Sequence, residues 1–303
     1  MGPAFYARQM ILWFYGAFAM LTQAINGQLT SWFGLRVVRV GAHENLIAQS
    51  AGQMRPLTNS PLAMKRIASL GRLMRPRQAR GVKKVRLGAS NDCGYVCLDD
   101  FNGVEAALSL GIAAEVSWDL EMAERGLIVY QYDHTVQGPP IRHANFRFHR
   151  RQIGANAGHD SESIESALAQ ARLMRPHSAI MKIDIDDDEW PAFAATSAAT
   201  LDVFTQVLGE FHGFNNILDD NRYEQAFAVL SKLNEKLVVV HVHANNYRPL
   251  LAIGNLLFPE VLEVTYASRA KYAFTDCDEV FPGPLDSPNW AAAADYGLGK
   301  FAY

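Results

Sequence analysis

Cysteine is scarce in this chain: Cys93, Cys97 and Cys277 are the three in 303 residues. They show no zinc-ligand spacing and leave an odd thiol over, which argues against a disulfide-stapled secreted scaffold and for a reduced, cytoplasmic setting. Long apolar runs are missing as well. The most apolar stretch, Met10 to Ile25, falls short of the roughly twenty residues that span a bilayer. There is no internal repeat and no low-complexity tract, so solenoid and disordered classes drop away. Acid is absent from one region: no Asp or Glu occurs between Asn45 and Asn91, although the whole chain carries a net charge of only −3. With 49% hydrophobic residues, a large α/β domain with extensions, or two small domains, is within reach.

The region without acid carries Arg55, Lys65, Arg66, Arg72, Arg75, Arg77, Arg80, Lys83, Lys84 and Arg86. Beside it, Met10–Ile25 offers Trp13, Phe14, Tyr15 and Phe18. An interfacial helix on an anionic membrane surface, formed through residues 1–86, would use both features. A helix packed on the main domain, with the basic residues as a solvated face, is the plainer reading. Thr22-Gln23-Ala24 matches a signal-peptide cleavage site only weakly. No aromatics are interleaved with the charges, which disfavours nucleic acid. Nothing in the chain marks an oligomeric state.

Val104 to Thr135 organises the rest. A buried strand (Ala106 to Leu110) meets a glycine turn at Gly111, a helix from Val116 to Arg125, a C-capping Gly126 and a second strand, Leu127 to Tyr132, ending on Asp133. Such a strand–turn–helix–strand unit brings a ligand close to backbone N–H groups at the turn. A carboxylate about twenty residues further on can accept hydrogen bonds from both hydroxyls of a ribose. One glycine stands where dinucleotide sites carry three, so the unit points to a nucleoside without close phosphates, S-adenosylmethionine rather than NAD. An ordinary βαβ element with a surface Asp is the bland alternative.

Around this unit, Val85 to Asp99 reads as a hairpin or a loop leading into the sheet. Phe146 to His149 is another strand, and a helix over about 161–174 takes Asp160 or Ser161 as its N-cap. Ala179 to Ile183 is a buried strand running into Asp184, Asp186, Asp187, Asp188 and Glu189. Period two places Asp184 and Asp186 on one face, at the strand end where open α/β sheets bind ligands. Their roles are to bind a substrate hydroxyl or methionine amine, or to help hold a hard divalent cation. Thr205 to His212 sets Glu210 and His212 on one face, and Leu237 to Val242 leads into His243. Either histidine could serve as a general base, and a Glu210/His212/His243 metal site is conceivable. A helix over 220–236 and a strand over 261–266 complete the sheet, and a polar tail from Asp276 to Trp290 covers its edge or the site mouth.

Arg86 to Phe101 (RLGASNDCGYVCLDDF), Leu108 to Gly126, Tyr130 to Thr135 (YQYDHT), Met181 to Trp190 (MKIDIDDDEW), GEFH and HVHANN together resemble class I S-adenosylmethionine-dependent methyltransferases of the FkbM type. The resemblance implies an α/β, Rossmann-like seven-stranded sheet over residues 84–303, with residues 1–83 as an apolar and basic helical extension. It implies O-methylation of a sugar or another small hydroxylated acceptor. It assigns the cofactor to Gly111, Ile112, Glu115, Asp133, His134, Ile153 (near adenine), Asp184 and Asp186, and the chemistry to His212, His243 or Asp184. A divalent cation is a further option, with no ligand set implied. The sequence departs from the family at Ala113, Ala114 and Cys93, where glycines are usual, and at Asp186-Asp187, where a Glu-Gly pair is usual. Those losses motivate a rival, a degenerate, non-catalytic binding or scaffold protein at a membrane; an RNA methyltransferase is a third reading.

Overall fold

The computed structural model describes residues 54–303. The expected apolar N-terminal helix and its membrane contact lie outside the described residues. Among the described residues no helix is long and apolar enough to cross a membrane.

The chain begins with β1 (Met54–Thr58), α1 (Pro61–Leu73) and β2 (Arg77–Ala79). A hairpin follows, β3 (Lys84–Gly88) and β4 (Gly94–Leu98), then β5 (Ala106–Leu110), α2 (Ser117–Glu124), β6 (Ile128–Tyr132) and β7 (Phe146–His149). Next come the short β8 (Gln152–Ile153) and β9 (Ser161–Glu162), α3 (Ile164–Ala171), β10 (Ala179–Ile183), α4 (Glu189–Ala195), α5 (Ala198–Leu201) and β11 (Phe204–Phe211). The last part is α6 (Asp220–Lys236), β12 (Leu237–Ala244), the pair β13 (Leu250–Ile253) and β14 (Leu256–Pro259), β15 (Leu262–Ser268) and β16 (Phe274–Asp276).

Seven strands form the main sheet in the order β12-β15-β11-β10-β5-β6-β7. β11, β10, β5, β6 and β7 are mutually parallel, and β15 runs antiparallel to both β11 and β12. The fold is thus mixed α/β with a largely parallel sheet. The central strands are buried on both faces, as parallel strands covered by helices must be, and they read as continuous apolar runs. Ala106, Leu108 and Leu110 face one core with α1, α3, α4 and α6, while Ala107 faces a second with α2 and the β3–β4 hairpin.

The helix expected at residue 161 starts later. Ser161–Glu162 pairs with Gln152–Ile153, and Ser163 closes a capping box at the head of α3. The preference of Asp160 and Ser161 for capping lost to a strand pairing that local sequence does not reveal. Within residues 1–83, the described part is built into the main body. β1 pairs with β13, and Ala63, Ile67 and Leu70 of α1 sit in the larger core. Several basic residues between Arg55 and Arg86 form ion pairs inside the chain. Arg55 meets Glu260 at 2.8 Å, Arg77 meets Asp276 at 3.4 Å, and Lys84 meets Glu279. Buried Arg66 donates to the Ile217 and Leu218 carbonyls, both at 3.1 Å, and to Asp220.

Candidate functional site

Register brings the candidate residues to one end of the sheet. Leu110 pairs with both Tyr132 and Ile183, so Gly111, Asp133 and Asp184 emerge side by side where β5, β6 and β10 end. Gly111 has φ 79°, and a Cβ there would lie 1.8 Å from the Asp184 carbonyl oxygen. Only glycine fits at that position. Lys182, buried in an otherwise apolar strand, donates from Nζ to the Gly111 carbonyl at 2.8 Å.

Asp133 closes the turn beneath Gly111. One carboxylate oxygen accepts from the N–H groups of Ile112 (3.0 Å) and Ala113 (2.8 Å); the other accepts from the Thr135 N–H (2.7 Å) and hydroxyl (2.6 Å). Burial acts to raise its pKa, but the Thr135, Ala113 and Ile112 hydrogen bonds outweigh it and hold the group below the usual carboxylate value. In this state its four acceptor sites are filled by the chain itself, so any hydroxyl ligand at Asp133 has to displace the loop amides or Thr135.

The other expected nucleoside contacts are dispersed. Ile112 is buried in the smaller core and Ile153 in the larger one. Glu115 accepts from the Ser117 N–H and hydroxyl, both at 2.8 Å, and so caps the start of α2. His134 is exposed beside Asp133. Ser109 and Gln131 donate to buried Asp119 at 3.0 and 2.8 Å, tying β5 and β6 to α2 below the loop.

The second group lies past β10 and β11. Asp184 and Asp186 do not share a strand face, because the strand stops at Ile183 and Asp186 turns at φ 50° with its side chain 94% exposed. Both still border His212, whose Nε2 lies 3.7 Å from Glu210, 3.8 Å from Asp186 and 3.9 Å from Asp184. The His212 N–H donates to Glu189 Oε1 at 2.6 Å, and the ring Nδ1 faces the same oxygen at 3.3 Å. Trp190 donates from Nε1 to the His212 carbonyl at 2.8 Å. The imidazole is therefore held from behind with Nε2 directed at the carboxylates. Asn245 Nδ2 donates to Glu210 Oε1 at 2.5 Å.

The electrostatics follow from burial of several acids together. Burial pushes Asp184 up to about 6, against Lys182 and His212 and with help from Asp186 and Asp92. Burial, with the Asp184 and Glu263 charges, drives Glu210 well above the usual carboxylate range. For His212 burial favours the neutral ring, and the Glu189 hydrogen bond and the Glu189, Asp184 and Asp186 charges reverse that and raise it.

His243 belongs to neither group. Its Nδ1 meets Glu263 at 2.9 Å and its Nε2 meets Asp295 at 2.9 Å. Burial opposes its charge, but Glu263 and Asp295 raise it to about 10. Both ring nitrogens are engaged by carboxylates, so in this state neither is directed at Asp184, Glu210 or His212. The conceivable Glu210/His212/His243 grouping is not assembled; instead, ligand atoms of Asp184, Glu210 and His212 all lie within 4.8 Å of one another. Sequence reading gave no role to Lys182 or Tyr95. A lysine inside an apolar strand was a usable signal for the first; nothing local marked the second.

No protein-family model matches the chain, and no curated protein matches it. Among solved structures, the one titled "Crystal Structure of EvdMO1" is similar over 56% of this chain and 38% of that chain, with 15% identity and a TM-score of 0.28. A likeness that loose carries no argument about fold or activity.

Proposed function

We propose that this protein is an S-adenosylmethionine-dependent methyltransferase acting on an oxygen of a small hydroxylated acceptor, such as a sugar. The observation that supports it most is the topological switch at β5. Chain order runs outward from β5 through β6 and β7 on one side and through β10 and β11 on the other, and open α/β sheets bind ligands at the carboxyl ends beside such a switch. Gly111 and Asp133 flank that point, in keeping with the resemblance of the sequence to class I methyltransferases.

When bound, S-adenosylmethionine supplies an electrophilic methyl group on its sulfonium. The chain's task is to align the acceptor oxygen and take up its proton. Asp133 and the Gly111 loop hold the nucleoside end. Asp184, Glu210 and His212 form the far wall, where an acceptor hydroxyl is oriented and relieved of its proton.

Titration calorimetry of S-adenosylmethionine into the full chain, paired with amide hydrogen exchange, tests this. Binding in the micromolar range, weakened in Asp133→Asn and accompanied by faster exchange at Ile112 and Ala113 as the ribose displaces them, is the expected result. Absence of binding to folded wild-type protein overturns it. A second reading, a non-catalytic binding protein on the same fold, is favoured by the self-closed Asp133. Cofactor binding without transfer to hydroxylated acceptors, with or without Mg²⁺, would select that reading.

A further inference from the structure

We propose that Asp184, Glu210 and His212 bind a divalent first-row transition-metal ion, with Glu189 and Tyr95 as its supporting shell. Three mutually independent features carry this.

The first is spacing. Nε2 of His212 stands 3.7 to 3.9 Å from three carboxylates, beyond hydrogen-bond range. The three ligand atoms fit within 4.8 Å, a span that one ion about 2.0–2.4 Å from each can bridge. The second is the state of the imidazole. Metal-bound histidines almost always have the other ring nitrogen on a carboxylate, which fixes tautomer and direction. Glu189, fully buried, holds Nδ1 in that way and leaves Nε2 facing the carboxylates.

The third is an unpartnered donor. Tyr95 is 3% exposed, and its hydroxyl has no hydrogen-bond partner. It stands on the β3–β4 hairpin, which Gln206 fastens to the sheet through the Leu98 N–H (2.7 Å) and carbonyl (2.9 Å). Asp184 and Glu210 are the charges that act on the phenol most strongly. A buried hydroxyl without a partner is costly, and a ligand or water on a bound ion would satisfy it. Glu189 Oε2 is a second orphan in the same place.

Two carboxylates and one imidazole match Mn²⁺, Fe²⁺, Co²⁺ or Zn²⁺ better than Mg²⁺ or Ca²⁺, whose ligands are oxygens throughout. Three protein ligands leave positions open for water or for an acceptor hydroxyl. The inference is separate from methyl transfer, because the ion is measured alone with no cofactor added.

The test is Mn²⁺ titration into chelator-stripped full chain, followed by calorimetry and electron spin resonance. Wild type should bind one equivalent, with spin-echo modulation from an imidazole nitrogen. Glu210→Gln and Asp184→Asn should weaken binding at least 100-fold, and His212→Gln should abolish the nitrogen modulation. Tyr95→Phe, which removes only the hydroxyl, should weaken binding about tenfold, as outer-shell changes do. His159→Ala, at a fully exposed histidine, should change nothing. If folded wild type binds no Mn²⁺, Co²⁺ or Zn²⁺, or binds them equally well in all three ligand variants, the site is refuted. Should a ligand variant fail to fold, the wild-type nitrogen signal and its dependence on Tyr95 decide the matter.

Discussion

Asp133→Asn separates a loop clamp from a mere surface acid. The wild-type carboxylate accepts four hydrogen bonds, two from the Gly111 loop and two from Thr135. An amide of the same shape has one acceptor atom and must aim its NH₂ at one of these donor pairs. Two charge-assisted bonds are lost, each worth about 1.5–3 kcal/mol, and the facing donors are left unpaired. Loop relaxation returns part of this, so a loss of about 3 kcal/mol is expected. At about 2–3 °C per kcal/mol for a chain of this size, Tm should fall by about 6–9 °C in a thermal melt at pH 7.

The pH dependence supplies the sharper check. Asp133 is held below its ordinary value of 3.8 in the folded protein. Its contribution is therefore complete above the unfolded pKa and disappears as pH falls through the lower, folded one. The gap between wild type and variant should stay constant from pH 8 to pH 5 and close below about pH 4. A variant that melts with wild type at pH 7, or a gap that persists in acid, would refute the clamp.

Gly111→Ala meets the Asp184 carbonyl and an unfavourable φ together. A loss above about 3 kcal/mol or failure to accumulate as folded protein is expected, read by circular dichroism. Ala113→Gly, at an exposed position with φ 42°, should raise stability by about 0.5 kcal/mol, since relief of the left-handed backbone slightly exceeds the entropy that glycine adds to the unfolded chain. His243, raised to about 10 from 6.5, contributes stability that is whole below pH 6.5 and is lost as pH rises through 10. Denaturant midpoints of wild type and His243→Gln should therefore converge between pH 7 and pH 10.

The parallel strands were legible because both of their faces are buried, so β5, β6, β10 and β11 stand out as apolar runs between polar turns. The α2 and α6 boundaries followed from helical periodicity and lie within a residue or so of expectation. Cys93, Ala113 and Asp187 all adopt positive φ (63°, 42° and 79°), so the chain keeps a glycine-like backbone where its side chains resist it. Pairings over long separations were not legible. β1 finds β13, and His243 finds Asp295, far down the chain. Residue type suggested that His243 could act as a base, yet that tail residue and Glu263 between them use both of its nitrogens. Asp184 and Asp186 were misplaced for a simpler reason, since alternation applies only while the strand lasts.

The two halves of the candidate site are mechanically one object. Asp184 donates its N–H to the Leu110 carbonyl at 2.9 Å, and its own carbonyl blocks any side chain at Gly111. Lys182 reaches from the same strand to the Gly111 carbonyl. The backbone of the Asp133-clamped loop cannot shift without moving the residue that faces His212. If the proposed nucleoside and ion both bind, opening of the Ile112 and Ala113 amides and fixing of Asp184 should therefore be coupled. Such coupling must be reciprocal in binding free energy. Packing this tight at a strand end also accounts for a glycine at Gly111, while positive φ is adopted with a side chain at Ala113 and Cys93. At Ala113 and Cys93 a side chain costs backbone strain of about 1–2 kcal/mol each, whereas at Gly111 it would break the contact between the two halves.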